Sequence, residues 1–174
     1  MKRLIIADTG PLIIFAKSKK LQLLRDMAAQ ILVTTTVMHE CIDDSGKPGA
    51  AIISKAFEDF TLSQVADVEL SDELRNIPLD AGELSTIALA ISMNDPDLFI
   101  LVDEVLGRGV AHKHGLKVIG SAGILLAAKQ AGLIIAVEPI IREWQKLGYF
   151  LKESLVNRLL IEAGEGENYL PPYQ

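Results

Sequence analysis

Two fully apolar segments, residues 4–7 and 98–102, constrain the fold of this chain most, because each ends directly at an aspartate. A short uninterrupted apolar run predicts a strand that is covered by protein on both faces. Asp8 follows the first segment and Asp103 follows the second. The pair predicts two buried strands, each with an acidic side chain at its carboxyl end.

Short apolar segments alternate with helical segments along most of the chain. This alternation is typical of a parallel sheet covered by helices, with right-handed crossovers. We therefore predict an α/β fold, a three-layer α/β/α sandwich around a central, mostly parallel sheet. Further strands are predicted at 31–33, 62–65 and 117–119, and helices at 11–17, 21–29, 37–40, 50–60, 80–93, 104–114, 121–132, 138–148 and 152–162, with residues 71–78 irregular.

The length of 174 residues suits one domain with a real core. No linker divides the chain, so we predict a single domain over residues 1–163, with additional C-terminal helices from about residue 138. Residues 164–174 are rich in glycine, glutamate and proline and are predicted to be a mobile tail.

Composition narrows the class of protein further. Apolar residues make up 49% of the chain and aromatic residues 5%, which predicts a core of aliphatic side chains. A single cysteine excludes an internal disulfide and favours a cytoplasmic location. No apolar run reaches the roughly 18 residues of a membrane span. A net charge of −6 argues against a general nucleic-acid coat protein.

The two aspartates are expected to lie at one edge of the sheet. Open α/β sheets bind ligands beyond the carboxyl ends of their strands. Each aspartate alone could simply cap the following helix. If Asp8 and Asp103 end neighbouring central strands, however, their charges repel each other and shift their pKa values, which a bound cation relieves.

Two glutamates accompany apolar stripes of predicted helices. Glu40 shares a helix face with Val37 and Cys41, and Glu83 precedes Ile87 by one turn. A glutamate that faces the interior is costly unless it is paired or bound to a metal ion. The alternative is that each lies at the edge of its stripe and reaches water.

The residue types select the metal. Carboxylates alone favour Mg²⁺ or Mn²⁺, whereas zinc normally takes histidine or cysteine ligands. His39, His112 and His114 lack the spacing of a zinc motif, and Cys41 has no cysteine partner. A zinc site is not expected.

Several motifs of this chain, in this order, resemble those of PIN domains. The segment Asp8-Thr9-Gly10-Pro11-Leu12-Ile13 is similar to the opening signature of that family, and the similarity covers roughly residues 3–150. The chain looks like a member of a prokaryotic PIN-like subfamily. The other matching segments are Val37-Met38-His39-Glu40, Asp80-Ala81-Gly82-Glu83, Leu101-Val102-Asp103-Glu104, and the run from Gly107-Arg108 to Gly132.

The resemblance implies an acidic pocket that binds Mg²⁺ or Mn²⁺ and hydrolyses phosphodiester bonds, usually of RNA. Many similar proteins are toxins held inactive by a small antitoxin, and many form homodimers. The matching catalytic and metal-binding positions are Asp8, Glu40, Glu83 and Asp103. Two positions depart from the pattern. Glu104 stands where similar sequences often have a second aspartate and competes with Asp103 as a ligand, and Ser121 replaces a later acid, which puts a second metal site in doubt.

Other side chains could assist such a site. Thr9 and Ser121 offer hydroxyls to water or phosphate, or cap helices. Positive charge for an RNA backbone could come from one of two groups, or these side chains are simply solvated. The groups are Lys17, Lys19 and Lys20, and, near the carboxyl edge, Arg108, Lys113 and Lys117.

Three other classes of protein are alternatives to a nuclease. A haloacid-dehalogenase phosphatase needs a second aspartate where this chain has Gly10, and a phosphoacceptor receiver domain has its aspartate after the third strand. The stronger alternative is a non-catalytic PIN-like module that binds nucleic acid or protein. Trp144, Leu147 and Tyr149 are candidates for a partner interface or for ordinary core packing.

Overall fold

The computed structural model describes residues 3–166, and within them the chain forms one five-stranded, all-parallel sheet. The strand order is β3-β2-β1-β4-β5, so β1 is central and β4 is its neighbour. All carboxyl ends therefore meet at one edge, named here the carboxyl edge. The strands are β1 (Arg3–Ala7), β2 (Ala28–Thr34), β3 (Ser63–Val65), β4 (Leu98–Leu101) and β5 (Lys117–Ile119).

Helices connect the strands and follow the last of them. They are α1 (Thr9–Lys17), α2 (Leu21–Met27), α3 (Thr35–Ile42), α4 (Ala50–Glu58), α5 (Asp72–Arg75), α6 (Ala81–Met93), α7 (Val105–Lys113), α8 (Ser121–Gln130), α9 (Glu138–Lys146) and α10 (Glu153–Glu162). The predicted α/β class with a central parallel sheet is confirmed. No helix within residues 3–166 is long and apolar enough to cross a membrane.

The central strands are buried because their side chains alternate between two covered faces. Ile6 and Ile100 point to one face, where they pack in a core cluster with Ile87 of α6 and Ala111 of α7. Ile5 and Leu101, on the opposite face, are also buried. β1 and β4 are in register with Ala7 opposite Leu101, so the residues that follow them leave the sheet side by side.

Contacts along the chain group it into two compact units, Met1–Ser121 and Ala122–Gln174. The first contains the whole sheet. In the second, Trp144 is fully buried and meets Tyr149 edge to face, with ring centroids 5.6 Å apart. Core packing therefore accounts for Trp144. A partner interface at Leu147 and Tyr149 stays a prediction.

Glu165 anchors the end of the described chain within the second unit. Its carboxylate accepts hydrogen bonds from Lys129 at 2.7 Å and from the backbone amides of Val137 and Glu138. Most of the predicted mobile tail, residues 167–174, lies outside the described residues. The single-domain boundary at residue 163 also stays a prediction.

Several sequence-based boundaries differ from the structure, and three of the differences add a helix or change the end of a strand. Helix α5 forms within the stretch predicted to be irregular, because the Ser71 hydroxyl accepts the Leu74 amide and caps it. Strand β2 begins at Ala28, where a helix was predicted to continue. Strand β4 ends at Leu101, so Val102 separates it from Asp103.

Candidate active site

Asp8 leaves the sheet at the end of β1 and occupies the N-cap position of α1. Its backbone amide donates to the Leu101 carbonyl at 3.1 Å, which joins it to β4. Its side chain, however, makes no capping hydrogen bond. The carboxyl is 5% exposed, and its Oδ1 atom has no hydrogen-bond partner among the described residues. Helix capping therefore does not explain this aspartate.

The surroundings of Asp8 disfavour its ionised form. Burial is the largest cause and raises the pKa of Asp8 from 3.8 to about 7, against the opposing effect of the Thr9 backbone amide. The negative charges of Asp80, Glu83 and Glu40 raise the pKa of Asp8 further. Asp8 is thus a buried acid among other acids.

Glu83 comes from the first turn of α6 and points into the protein. Its backbone amide donates to Asp80 Oδ1 at 2.8 Å, the N-cap bond that starts this helix. The Glu83 side chain is 4% exposed, and its Oε1 atom has no hydrogen-bond partner among residues 3–166. Burial, followed by the charge of Asp80, raises the pKa of Glu83. Glu83 is therefore not directed to water.

Glu40 reaches the same region from α3, whose start is fixed by Thr34. The Thr34 hydroxyl accepts the Val37 amide at 3.1 Å. One carboxylate oxygen of Glu40 accepts a hydrogen bond from the Thr9 hydroxyl. The Thr9 side chain thus joins α1 to α3. The sequence suggested other roles for it, either contact with water or phosphate or capping of a helix. Glu40 also contributes, after burial, to raising the pKa of Cys41 to about 12.

Three glycines make room for acidic side chains at the carboxyl edge. A Cβ atom on Gly82 would lie 3.1 Å from the carboxyl carbon of Glu40, and one on Gly107 would lie 2.5 Å from Glu83 Oε1. A Cβ atom on Gly120 would lie 3.1 Å from Asp103 Oδ1. Sequence reasoning missed these residues. The available signal was the presence of Gly82 and Gly107 inside helices, where glycine lowers stability.

Asp103 differs from Asp8 and Glu83 because both of its oxygens have partners. Oδ1 accepts the Ser121 amide at 2.7 Å and Oδ2 accepts the Ser121 hydroxyl at 2.6 Å. Burial raises the pKa of Asp103, while Ser121 and the charge of Arg108 oppose that shift. The adjacent Glu104 is exposed and is the N-cap residue of α7.

The predicted acids therefore lie at the same edge of the sheet, but their hydrogen bonding and neighbouring charges differ. Asp8, Glu40 and Glu83 influence one another electrostatically, together with Asp80, which sequence reasoning treated only as a helix cap. Glu104 acts on both Glu83 and Asp103. Within residues 3–166, no three histidine, cysteine, aspartate or glutamate side chains are arranged to enclose a metal ion by themselves.

The available donor atoms nevertheless fit a hard divalent cation. Asp8 and Glu83 each present a buried carboxylate oxygen that lacks a hydrogen-bond partner among the described residues. Magnesium usually retains several waters and binds through one or two carboxylates, so a closed cage of three protein ligands is not required. The donors are oxygen atoms, as Mg²⁺ and Mn²⁺ prefer.

Comparison with known families agrees with this architecture. The sequence model of a family described as a PIN domain matches residues 4–165. The chain belongs to the PIN-domain family. PIN domains are generally nucleases, which makes nucleic acid the expected substrate class. No curated protein matches the sequence significantly.

The direction of the helices corrects the predicted positions of the basic residues in this PIN domain. Helices that follow parallel strands begin at the carboxyl edge and run back toward the amino edge, about 1.5 Å per residue. Lys17 and Lys113 end α1 and α7, and Lys117 begins β5, so they lie away from the acids. The prediction that Lys113 and Lys117 lie near the carboxyl edge is wrong. Lys19 and Lys20 follow α1 and so also lie away from the acids, whereas Arg108 lies near them, as predicted.

Proposed function

We propose that this PIN domain is a metal-dependent endoribonuclease that uses Mg²⁺ or Mn²⁺ at its carboxyl edge. The observation that carries the proposal is a pair of buried oxygens, on Asp8 and Glu83, that have no hydrogen-bond partner in the described part of the chain and lie among further acids. Buried polar atoms normally have hydrogen-bond partners. A hard cation supplies both the missing partner and the opposing charge.

The side chains divide into two roles in this proposal. Asp8 and Glu83 would hold the cation, and Glu40 and Asp103 would support it through water molecules. The chemistry that a cation held by these residues would supply is activation of a water for attack on phosphorus and stabilisation of the charge on the leaving oxygen. Thr9 orients Glu40 by its hydrogen bond, and Ser121 orients Asp103 by two. Asp103 is one of the four metal-binding positions that the resemblance implies, and its direct contact with a cation would require an exchange of these partners.

The test is cleavage of a mixed single-stranded RNA in the presence of Mn²⁺. Asp8→Asn and Glu83→Gln are expected to lower the rate about 100-fold or more, because each removes a charged oxygen from the cation. Asp97→Asn is the matched control, since Asp97 is exposed at the opposite edge of the sheet. Rates equal to wild type for Asp8→Asn and Glu83→Gln would refute the assignment.

A second pair of variants separates the neighbouring acids. Asp103→Asn is expected to lower cleavage, because it disturbs the carboxylate oxygen that accepts a hydrogen bond from the Ser121 hydroxyl. Glu104→Gln is expected to have the smaller effect on cleavage, because it changes an exposed side chain. If Glu104→Gln strongly lowers cleavage and Asp103→Asn does not, Glu104 and not Asp103 is the acid that supports the reaction.

The proposed biological role is that of a toxin inhibited by a small antitoxin, acting as a homodimer. Growth arrest on induced expression, relieved by Asp8→Asn and by a co-expressed small partner, would support it. Growth unaffected by active enzyme would count against it.

The net charge of −6 and the serine at position 121 favour one alternative, a PIN-like module that binds nucleic acid or protein without catalysis. RNA binding without cleavage in any divalent cation would favour that alternative.

A further inference from the structure

Arg108 is placed differently from the other basic residues considered for RNA binding. It lies in the first turns of α7, close to the end of β4 from which that helix starts. Its Nη1 atom donates to the Val102 carbonyl at 3.1 Å, and its charge opposes the rise in the pKa of Asp103. The guanidinium is thereby held beside the acidic group.

Gly120 provides the space for this guanidinium. A Cβ atom at position 120 would lie 2.8 Å from Arg108 Nη1, closer than side chains normally approach. The arginine therefore lies against bare backbone at the end of β5. Any other residue at position 120 would push the guanidinium or Asp103 aside.

Most donor groups of Arg108 remain available. A guanidinium carries five N–H groups. Its hydrogen bond to Val102 is the single side-chain hydrogen bond that Arg108 makes within residues 3–166, and the side chain is partly exposed. A fixed, partly exposed guanidinium with unused donors is suited to bind a phosphate group through two parallel hydrogen bonds.

We propose that Arg108 forms a phosphate-binding subsite that holds an RNA phosphodiester beside the acidic group. This subsite rests on the proposed nuclease function, since it positions the substrate of the same site. The acids at the carboxyl edge repel an RNA backbone, and contacts from arginine to phosphate fix the position of a nucleic acid without reading its sequence. Arg108 supplies that contact where Lys17, Lys113 and Lys117 cannot.

The experiment measures binding of a short single-stranded RNA at several salt concentrations by fluorescence anisotropy. It uses the full chain carrying Asp8→Asn, so that cleavage does not interfere. Arg108→Gln is expected to weaken binding about 5- to 10-fold at low salt and to reduce the slope of log K against log salt by about 0.7, the value for one phosphate contact on a single strand. Arg108→Lys keeps the charge, so it should retain the slope while losing part of the affinity.

Lys113→Gln is the matched control, because it removes one positive charge from the other end of the same helix, where Lys113 pairs with Glu73. It should change neither affinity nor slope. Equal effects of Arg108→Gln and Lys113→Gln would overturn the subsite, since total charge would then explain binding. Thermal unfolding of each variant identifies loss of fold, and Arg108→Lys decides the matter if Arg108→Gln unfolds.

Failure of the subsite and failure of the nuclease proposal give different results. Cleavage by the otherwise wild-type enzyme that is insensitive to Arg108→Gln, in both KM and kcat, overturns the subsite alone. RNA binding that depends on Arg108 while no divalent cation supports cleavage leaves the phosphate contact in place and overturns the nuclease proposal.

Discussion

At the scale of single residues, Asp8 shows how a candidate site can oppose the stability of its own fold. The side chain is buried, its Oδ1 atom has no hydrogen-bond partner between residues 3 and 166, and the acids Asp80, Glu83 and Glu40 lie near it. An unpartnered buried acid is costly, and the cost is larger when it is ionised. In the absence of a cation, the protein should therefore be more stable when Asp8 is uncharged.

The pH dependence of stability follows from the sign of this shift. Because folding raises the pKa of Asp8 from 3.8 to about 7, the folded state binds the proton more tightly than the unfolded state. The resulting stabilisation is complete below the unfolded pKa and is lost as pH rises through the folded value. With EDTA present, the free energy of unfolding of wild type should fall between pH 5 and pH 8 by about 2–3 kcal/mol more than that of Asp8→Asn.

Urea denaturation at the two pH values measures this difference. The exposed Asp97→Asn variant should follow wild type. Parallel behaviour of wild type and Asp8→Asn would show that the Asp8 carboxyl is not held in its neutral form by burial.

At the scale of elements, α7 contains two glycines with opposite surroundings. A Cβ atom on Gly107 would meet Glu83 Oε1 at 2.5 Å and Val102 Cγ1 at 3.2 Å, whereas one on Gly109 would meet nothing within 4 Å. Glycine lowers helix stability relative to alanine by roughly 0.5–1 kcal/mol. The close approach of α6 to α7 explains why Gly107 is present despite that effect.

Alanine at these two positions should therefore act in opposite directions. Gly107→Ala should destabilise the protein by about 1–3 kcal/mol through overpacking and should displace Glu83. Gly109→Ala should stabilise it by about 0.5–1 kcal/mol through helix propensity. Chemical denaturation measures both, and RNA cleavage by Gly107→Ala should fall while that of Gly109→Ala is retained. Equal stabilisation by the two substitutions would show that α6 does not approach α7 as described.

The individual strands and helices also show which sequence signals were sufficient to predict secondary structure. Strands β1 and β4 were predicted because their side chains are apolar on both faces, and α6 because Asp80 precedes an apolar helix. Helix α5 was missed because its four residues carry almost no periodic signal, although its Ser71 cap was visible.

At the scale of the whole molecule, the candidate site combines residues from elements that are distant in sequence. Asp8 follows β1, Glu40 belongs to α3, Glu83 to α6, and Asp103 follows β4. Parallel strand order brings these elements to one edge, which is why the strand ends predict that Asp8 and Asp103 lie close together, whereas Glu40 and Glu83 are suggested by helix faces and by the family resemblance. The sequence does not specify the contacts between elements that require glycine at positions 82, 107 and 120. Nor does it specify that both oxygens of Asp103 are hydrogen-bonded to Ser121.

Binding of a divalent cation should stabilise the whole fold. A cation present at 100 times its Kd adds about 2.7 kcal/mol to the free energy of unfolding. For a chain of this size that corresponds to a rise in Tm of roughly 5–10 °C. Differential scanning fluorimetry with Mn²⁺ or Mg²⁺ measures the rise, which EDTA should reverse.

Substitutions of the acidic residues test whether the cation that raises Tm binds at the carboxyl edge. Asp8→Asn and Glu83→Gln should abolish the rise in Tm, and Asp97→Asn should preserve it. A rise of the same size in the combined Asp8→Asn and Glu83→Gln protein would place the cation elsewhere.

The central position of β1 also has a consequence for synthesis on the ribosome. β1 is synthesised before the other four strands of the described sheet, yet it needs β4 on one side, and β4 is made only after most of the first unit has been translated. Asp8 and Glu83 cannot adopt their final separation while that gap in the sheet is open. A nascent or truncated chain that lacks residues 98–101 should therefore lack the proposed cation site and any RNA cleavage that depends on it.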